Sequence, residues 1–305
     1  MHDTAFAIGA SFFQVYVRAP CTILEIGAMN VNGSLRDAAP DAVTYIGLDL
    51  EPGPGVDLVT APGAALPLRD GAVDVTIASS VFEHDRQFWR TFTDMCRVTR
   101  PGGYIYINAP SNGQVHSFPL DCWRFYPDAG IALEQLTTGQ PWSTRLVESF
   151  IADRQEHGWN DFVAVFRRDG DGAPLPAARL HASTPCRNIY DAVAGERPGV
   201  DSDTEDMRLL ATYRACMDAQ AHQLVHEADV RDRRIAELEP ALAAAQATAE
   251  QSSHQLTYLA AINADLRRQL DSLHREVDTF RSSWTGRFCS LWYGRSRRST
   301  IRGAD

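Results

Sequence analysis

Short apolar runs separated by turns dominate residues 1–168 of the chain. Such runs, when bounded by glycine, proline or aspartate, are typical of buried strands. The pattern predicts five early strands. The first stops at Glu25–Gly27, and the others lie at 44–50, 56–60, 74–78 and 104–108. Two later strand-like runs predict an antiparallel hairpin, at 144–151 and 161–168.

Helical patterns flank these strands. Residues 5–17 are apolar but too short to span a bilayer, and Asp3 stands where a signal peptide carries basic residues, so we expect a helix packed on the sheet edge. Residues 86–98 place four apolar side chains on one face, as in a helix that covers a core: Phe88, Phe92, Met95 and Cys96. Strands alternating with helices across glycine-rich joints predict an α/β fold, with a mostly parallel sheet and helices on both faces.

In the second half of the chain the apolar period changes to seven. A heptad that starts with Ile235 and Leu238 runs to Trp284, which predicts a long coiled-coil helix. Asn263 at a core position of this heptad favours a parallel homodimer in one register. A helix folded back on the first domain is the alternative, and Pro240 is expected to kink the helix or begin a new one.

These patterns divide the chain into a first domain and three further regions. A flexible linker is predicted at 169–205, which is rich in glycine, proline and aspartate, with one short helical piece around 188–193. The helical and coiled-coil region is predicted at 206–284. The basic, aromatic tail at 285–305 suits contact with an anionic membrane surface or a partner protein, and a disordered basic end is the alternative.

Composition excludes several functions. The net charge of −10, from 29 basic against 39 acidic residues, argues against general nucleic-acid binding. All basic residues are arginines, which excludes Schiff-base and phosphate-loop lysines. The six cysteines stand singly, which predicts reduced thiols in a cytoplasmic protein. No spacing such as H-E-x-x-H is present, so no metal site is predicted.

Candidate ligand residues stand at the predicted strand ends. The first strand ends at Glu25 and Gly27, and a polar loop follows that closes at Asn32 and Ser34. Open α/β sheets bind ligands beyond the carboxyl ends of their strands, and glycine lets the main chain approach a ligand. Asn32 or Ser34 is expected to cap the next helix. A purely structural turn is the alternative.

The second and fourth strands end in the same way. Asp49 closes the second strand and Glu51 follows, and a carboxylate there can accept both hydroxyls of a ribose. The alternative is an acid that caps the turn at 52–55. The run that begins with Ser79 and Ser80 leaves the fourth strand at this same edge.

Four segments in order resemble class I S-adenosylmethionine-dependent methyltransferases over about residues 20–168: LEIGAMNVNGS, GLDL, LPLRDGAVDVTIASSVFEH and RVTRPGGYIYINAPS. The resemblance implies a seven-stranded, Rossmann-like sheet with the seventh strand antiparallel, and S-adenosylmethionine as cofactor. It implies these cofactor-binding residues: Glu25, Gly27, Asn32, Asp49, Glu51, Leu66, Ser79 and Ser80. The chain departs from the family pattern at Met29, where a second glycine is usual, and at Pro62, where an acid often meets the adenine.

The acceptor is expected at residues 116–130, just past the fifth strand, where polar and aromatic side chains crowd one loop. The proposed catalytic residues are His116 as a base, with Asp121 and Arg124. The structural alternative pairs Arg124 with Asp121 across the loop. Glu83 and His84 are expected to form a wall at the cofactor edge. The loop also resembles one found in methyltransferases of glycan assembly.

The sequence therefore predicts a cytoplasmic methyltransferase, with a peripheral position at the inner face of the membrane as a second interpretation. Its acceptor would be a hydroxyl of a small molecule or glycan. One rival is a catalytically inactive scaffold whose coiled coil mediates assembly. The other, a nicotinamide-dependent enzyme, is disfavoured because G-x-G-x-x-G and lysine are both missing.

Overall fold

The structure is a computed structural model that describes residues 2–155, 158–170, 172–192, 194–195, 197–249 and 253–293. Its contacts divide the chain into two compact units, residues 1–211 and residues 212–305.

Eight strands within the described part of the first unit form one sheet. They are β1 (Cys21–Ile26), β2 (Val43–Asp49), β3 (Leu58–Val59), β4 (Val73–Ser79), β5 (Thr99–Pro110), β6 (Thr144–Ala152), β7 (Asp161–Arg168) and β8 (Cys186–Asp191). Their order is β3-β2-β1-β4-β5-β7-β6-β8. The first five run parallel, and β7 runs antiparallel between β5 and β6. The predicted α/β fold is therefore confirmed, with the antiparallel seventh strand that the family resemblance implies, but the sheet has eight strands instead of the seven expected because β8 pairs with β6.

Helices cover both faces of this sheet. α1 (Asp3–Tyr16) packs Ile8, Phe12 and Tyr16 into one hydrophobic cluster. α2 (Phe88–Val98) and α3 (Ala129–Thr137) contribute to the cluster on the other face, where Phe92 and Leu133 are buried. The central strands are apolar on both sides because both faces are covered.

The segment predicted as a linker differs from that expectation. Residues 186–191 form β8, which pairs antiparallel with β6, so the helical piece expected around 188–193 is wrong. Leu180 is fully buried in the cluster beside α1. This segment closes the edge that β6 would otherwise expose, which explains why a polar, proline-rich stretch is ordered against the sheet.

The connection from β1 to β2 carries a 3₁₀ turn, Leu35–Ala38, in place of a long helix. Ser34 caps this turn by accepting a hydrogen bond from the Arg36 N–H at 3.2 Å, so the cap falls on the second of the two predicted residues.

The second unit is helical where it is described. α4 (Glu205–Ala249) begins in the first unit and continues through Pro240, and α5 is Ser253–Tyr293. Residues 250–252 of the heptad and residues 294–305 of the predicted tail lie outside the described part of the chain. None of the helices described has an apolar stretch that could cross a membrane.

Candidate active site

Gly27 forms the turn that ends β1. Its φ of +73° lies in the left-handed region, and a Cβ at this position would lie 2.3 Å from Cγ2 of Val81. The Gly27 N–H donates to the carbonyl oxygen of Leu48 at 2.9 Å, which holds the turn against β2. The missing side chain thus leaves exposed main chain at the point where strand order reverses, between β1 and β4.

Glu25 lies buried beneath this turn, with 3% of its surface exposed. The Tyr45 hydroxyl donates to its Oε2 at 2.9 Å. Burial raises the pKa of Glu25 to about 7, because a carboxylate loses its hydration there. The Glu25 carboxyl therefore holds its proton to a higher pH than an exposed glutamate does.

Asp49 ends β2 beside the same turn. Its Oδ2 accepts from the Met29 N–H at 2.9 Å, and its Oδ1 accepts from the Leu50 N–H at 2.6 Å. Each carboxylate oxygen can accept more than one hydrogen bond, so both retain capacity for a ribose hydroxyl. Asp49 thus lies at the carboxyl end of β2, where the Met29 N–H of the first loop fixes its carboxylate.

The departure at Met29 is accommodated by the turn after β2. A Cβ on Gly53 would lie 3.0 Å from the terminal methyl of Met29, and the Asn30 N–H donates to the Pro54 carbonyl oxygen at 2.8 Å. The proline–glycine turn therefore packs on the first loop and shapes it where a second glycine is missing.

Ser79 and Ser80 end β4 at this edge. Ser79 is buried, and its Oγ has no hydrogen-bond partner among the residues described. The same holds for Oδ1 of Asn108, near the end of β5. Ser80 has a φ of +56°, which is rare for a side chain other than glycine, and its N–H donates to the Asn108 carbonyl oxygen at 2.9 Å. Buried polar atoms without partners, next to a strained residue, are typical of a ligand edge.

Three other residues predicted to bind the cofactor do not lie at the strand ends beside Gly27 and Asp49. Leu66 is buried in the core, where its N–H donates to Asp94 and its carbonyl accepts from Arg97 at 3.0 Å. Both of its main-chain groups are therefore already hydrogen-bonded within the protein. Asn32 and Glu51 lie exposed in the loops after β1 and β2.

Arg124 and Asp121 form a bidentate pair within the predicted acceptor loop. The guanidinium donates to both Asp121 carboxylate oxygens, at 2.5 and 2.7 Å, and to the carbonyl oxygens of Trp123 and Gln114. The pairing holds the pKa of Asp121 at about 2. Four of the five guanidinium N–H groups are thus used inside the loop, which supports the structural alternative: Arg124 braces the loop.

His116 lies close to Glu83 and His84. The spacing of these residues in the sequence did not predict this proximity. The backbone N–H of His116 donates to Asp121 Oδ2 at 2.8 Å, and its ring lies edge-on to those of His84 and Trp159. Burial lowers the pKa of His116, with His84 adding to the effect. Burial raises the pKa of Glu83, which is 1% exposed, to about 8.

The aromatic residues of the loop divide between core and surface. Phe125 is 3% exposed and packs in the core, whereas Trp123 is 37% exposed and donates its indole N–H to the Asp85 carbonyl oxygen at 2.8 Å. Beside the loop lies a cavity of about 130 Å³, lined by Ser111, Asn112, Tyr126, Asn160, Asp203 and Glu205 among others. The loop thus combines a fixed core anchor with polar and aromatic surface.

An open sheet with a glycine turn and an acid at the switch point defines the class of Rossmann-like cofactor-binding domains. The Methyltransferase domain family matches residues 9–107. The chain is similar to an uncharacterized methyltransferase of Mycobacterium bovis, 36% identical over 121 residues that cover 35% of this chain and 46% of that protein. A relative in Mycolicibacterium gilvum is 38% identical over 99 residues, which cover 28% of this chain and 38% of that protein.

Among solved structures, a Burkholderia thailandensis 1,6-didemethyltoxoflavin-N1-methyltransferase with bound 1,6-didemethyltoxoflavin and S-adenosylhomocysteine gives a TM-score of 0.44 at 15% identity. The match covers 54% of this chain and 79% of the Burkholderia thailandensis chain. The match to the first relative spans about half of its length. Residues 9–107, which include Gly27 and Asp49, are thus similar to the Methyltransferase domain family.

The buried Glu25 predicts a pH effect on stability. The unfolded chain releases this proton near the ordinary pKa of 4.5, whereas the folded chain holds it to about 7. Raising the pH through this window therefore destabilises the fold, by on the order of 3 kcal/mol for such a shift. We expect Glu25→Gln to become more stable relative to wild type at pH 8 than at pH 4. Urea titrations at both pH values measure this, and an unchanged difference would contradict the burial of a titrating carboxyl.

Proposed function

We propose that the protein transfers a methyl group from S-adenosylmethionine to a hydroxyl of a small molecule or glycan. The observation that carries this proposal is the set of neighbouring strand ends in the matched segment, with Gly27 as an open turn and Asp49 beside it. The exposed main chain at Gly27 and the unpartnered Oγ of Ser79 support a polar ligand at this edge.

The cofactor supplies an activated methyl group when bound, so the protein's task is alignment, exclusion of water and removal of a proton. Asp49 would hold the ribose hydroxyls, and the Gly27 turn would let the main chain approach the rest of the cofactor. Main-chain groups near Gly63 and Ala64 would meet the adenine, since Pro62 offers no carboxylate.

The acceptor is assigned to the loop at 116–126. Arg124 and Asp121 brace this loop, and ligand atoms of its His116 lie within 4.8 Å of those of Glu83 and His84, which together make a polar wall. A hydroxyl acceptor suits this wall because such a group must lose a proton during transfer. The glycan class rests on the resemblance of the loop alone.

Cofactor binding tests the function directly. We expect Asp49→Ala to weaken S-adenosylmethionine binding at least several-fold, since losing a bidentate contact costs about 1–3 kcal/mol. Isothermal titration calorimetry measures the dissociation constant. Asp41→Ala, which removes an exposed acid on the β1–β2 connection, is the matched control and should bind like wild type. An unchanged constant in Asp49→Ala would remove Asp49 from the site.

The inactive scaffold remains a second candidate because Met29 and Pro62 depart from the family pattern. A chain that binds the cofactor without transferring its methyl group to any hydroxyl acceptor would favour it. We further propose that the heptad from Ile235 forms a parallel homodimer. The single cysteines support a cytoplasmic location, and the arginines of the tail support contact with an anionic membrane or a partner protein.

A further inference from the structure

Three potential metal ligands converge at the acceptor wall. Glu83, His84 and His116 each offer one ligand atom, and these atoms lie within 4.8 Å of one another. Two belong to the loop after β4, and the third belongs to the loop after β5. We propose that they bind a divalent metal ion such as Zn²⁺ or Fe²⁺, because two imidazoles and one carboxylate suit these ions.

The buried carboxylate is the first independent support. Glu83 is 1% exposed, and its Oε2 has no hydrogen-bond partner among the described residues. A buried carboxylate oxygen without a donor is costly unless it is paired or coordinates a metal. Its Oε1 lies 3.6 Å from Nε2 of His84. Two ligands on a tetrahedral zinc lie about 3.4 Å apart, given bonds of about 2.0–2.2 Å, so this pair is already close to that geometry.

The orientation of His84 is the second support. Its Nδ1 hydrogen-bonds the carbonyl oxygen of Leu120, so Nδ1 carries the proton and the Nε2 lone pair is directed away from that bond. Histidines that ligate metals commonly donate their other ring N–H to a backbone carbonyl or a carboxylate. For His116, Nδ1 makes no hydrogen bond within the described residues, and it lies 3.5 Å from Oδ2 of Asp121.

The loop itself is built to hold the three ligands together. The N–H groups of Cys122 and Trp123 donate to the Glu83 carbonyl oxygen at 2.7 and 3.2 Å. The backbone of His116 is fixed by Asp121, which Arg124 braces in turn. The convergence therefore depends on defined contacts between the two loops.

The site lies close to the proposed cofactor edge. Val81, two residues before Glu83, occupies the space that a Gly27 side chain would need. A metal here would bind the acceptor hydroxyl and lower its pKa, so that its proton passes to water. The oxygen lone pair would then form the O–CH₃ bond as the S–CH₃ bond breaks and its electron pair returns to sulfur. This role rests on the proposed function, whereas metal binding itself does not.

Metal stoichiometry tests the site in the full-length, untagged protein. After chelator treatment and dialysis against zinc or cobalt chloride, we expect about one ion per wild-type chain, and cobalt should give the visible absorption of nitrogen and oxygen ligation. Glu83→Gln, His84→Gln and His116→Gln should each weaken zinc binding more than the roughly 10–100-fold loss typical of changes beyond the ligands. Circular dichroism checks that each variant is folded.

His181→Gln is the matched control. His181 is a comparably buried histidine beside a buried glutamate, with its Nδ1 2.7 Å from Glu148, and it should keep wild-type stoichiometry. Zinc-free wild type, or equal binding in the three ligand variants, would overturn the site. Calorimetry with S-adenosylmethionine on the same samples separates the two proposals: cofactor binding without metal rejects the metal site alone, and metal binding without cofactor rejects the proposed function alone.

Discussion

Glu148→Leu is expected to lower the free energy of unfolding of the first unit by about 3–5 kcal/mol, the range for removing one partner from a buried polar network. Glu148 lies in β6 and is fully buried. It accepts from the Tyr16 hydroxyl at 2.5 Å, from the Leu180 N–H at 2.9 Å, and from the N–H and ring of His181 at 3.1 and 2.7 Å. An aliphatic side chain would leave all four donors without this acceptor, and the Tyr16 hydroxyl and Leu180 N–H are buried.

Glu83→Gln is the informative comparison for this prediction. Glu83 is as deeply buried, at 1% exposed, but its Oε2 lacks a hydrogen-bond partner among the described residues. In the metal-free protein its neutral amide should therefore cost less than about 1 kcal/mol, because burial disfavours the charged form. Urea unfolding followed by tryptophan fluorescence measures both variants. Equal losses of unfolding free energy in the two variants would show that the hydrogen-bond donors around Glu148 do not determine its contribution to stability.

The strand ends were predictable because they combine local signals. Gly27 and Asp49 follow apolar runs of strand length, and parallel strands place their carboxyl ends at one edge. β8 was not predictable in this way. Its sequence, CRNIYD, is partly polar and flanked by turn residues, and it becomes a strand because the edge of β6 is there to pair with.

Side-chain partners were predictable only over short separations. Asp121 and Arg124 stand three residues apart in one loop, and their pairing was one of two interpretations of the sequence. Glu148 hydrogen-bonds Tyr16, which stands 132 positions away in the sequence. His116 contacts His84 because β4 and β5 are adjacent in the sheet. Such contacts depend on sheet order and loop packing, which ligand-spacing rules do not include.

Removal of residues 212–305 is expected to convert a dimer into a folded monomer. Both hydrophobic clusters of the first unit lie between Ile8 and Tyr190, so residues 1–211 keep a complete core. The cut must fall after Asp206, because Glu205 and Asp206 hydrogen-bond Arg154 and Asn160 in the first unit. Light scattering should give twice the chain mass of 33.7 kDa for the full protein and a single mass for the truncated one.

The heptad is the physical reason to expect a dimer. Leu270 and Leu273 occupy its core positions and are 43% and 39% exposed in the single chain, so a partner helix would bury them. Asn263 is satisfied best by its counterpart in a parallel pair, so Asn263→Leu should raise thermal stability and loosen the choice of oligomer. Ala264→Leu adds the same side chain at an exposed neighbouring position and should leave the mass distribution unchanged. A monomeric full-length protein would contradict the dimer, and a truncated chain that still pairs would place the interface in the first unit.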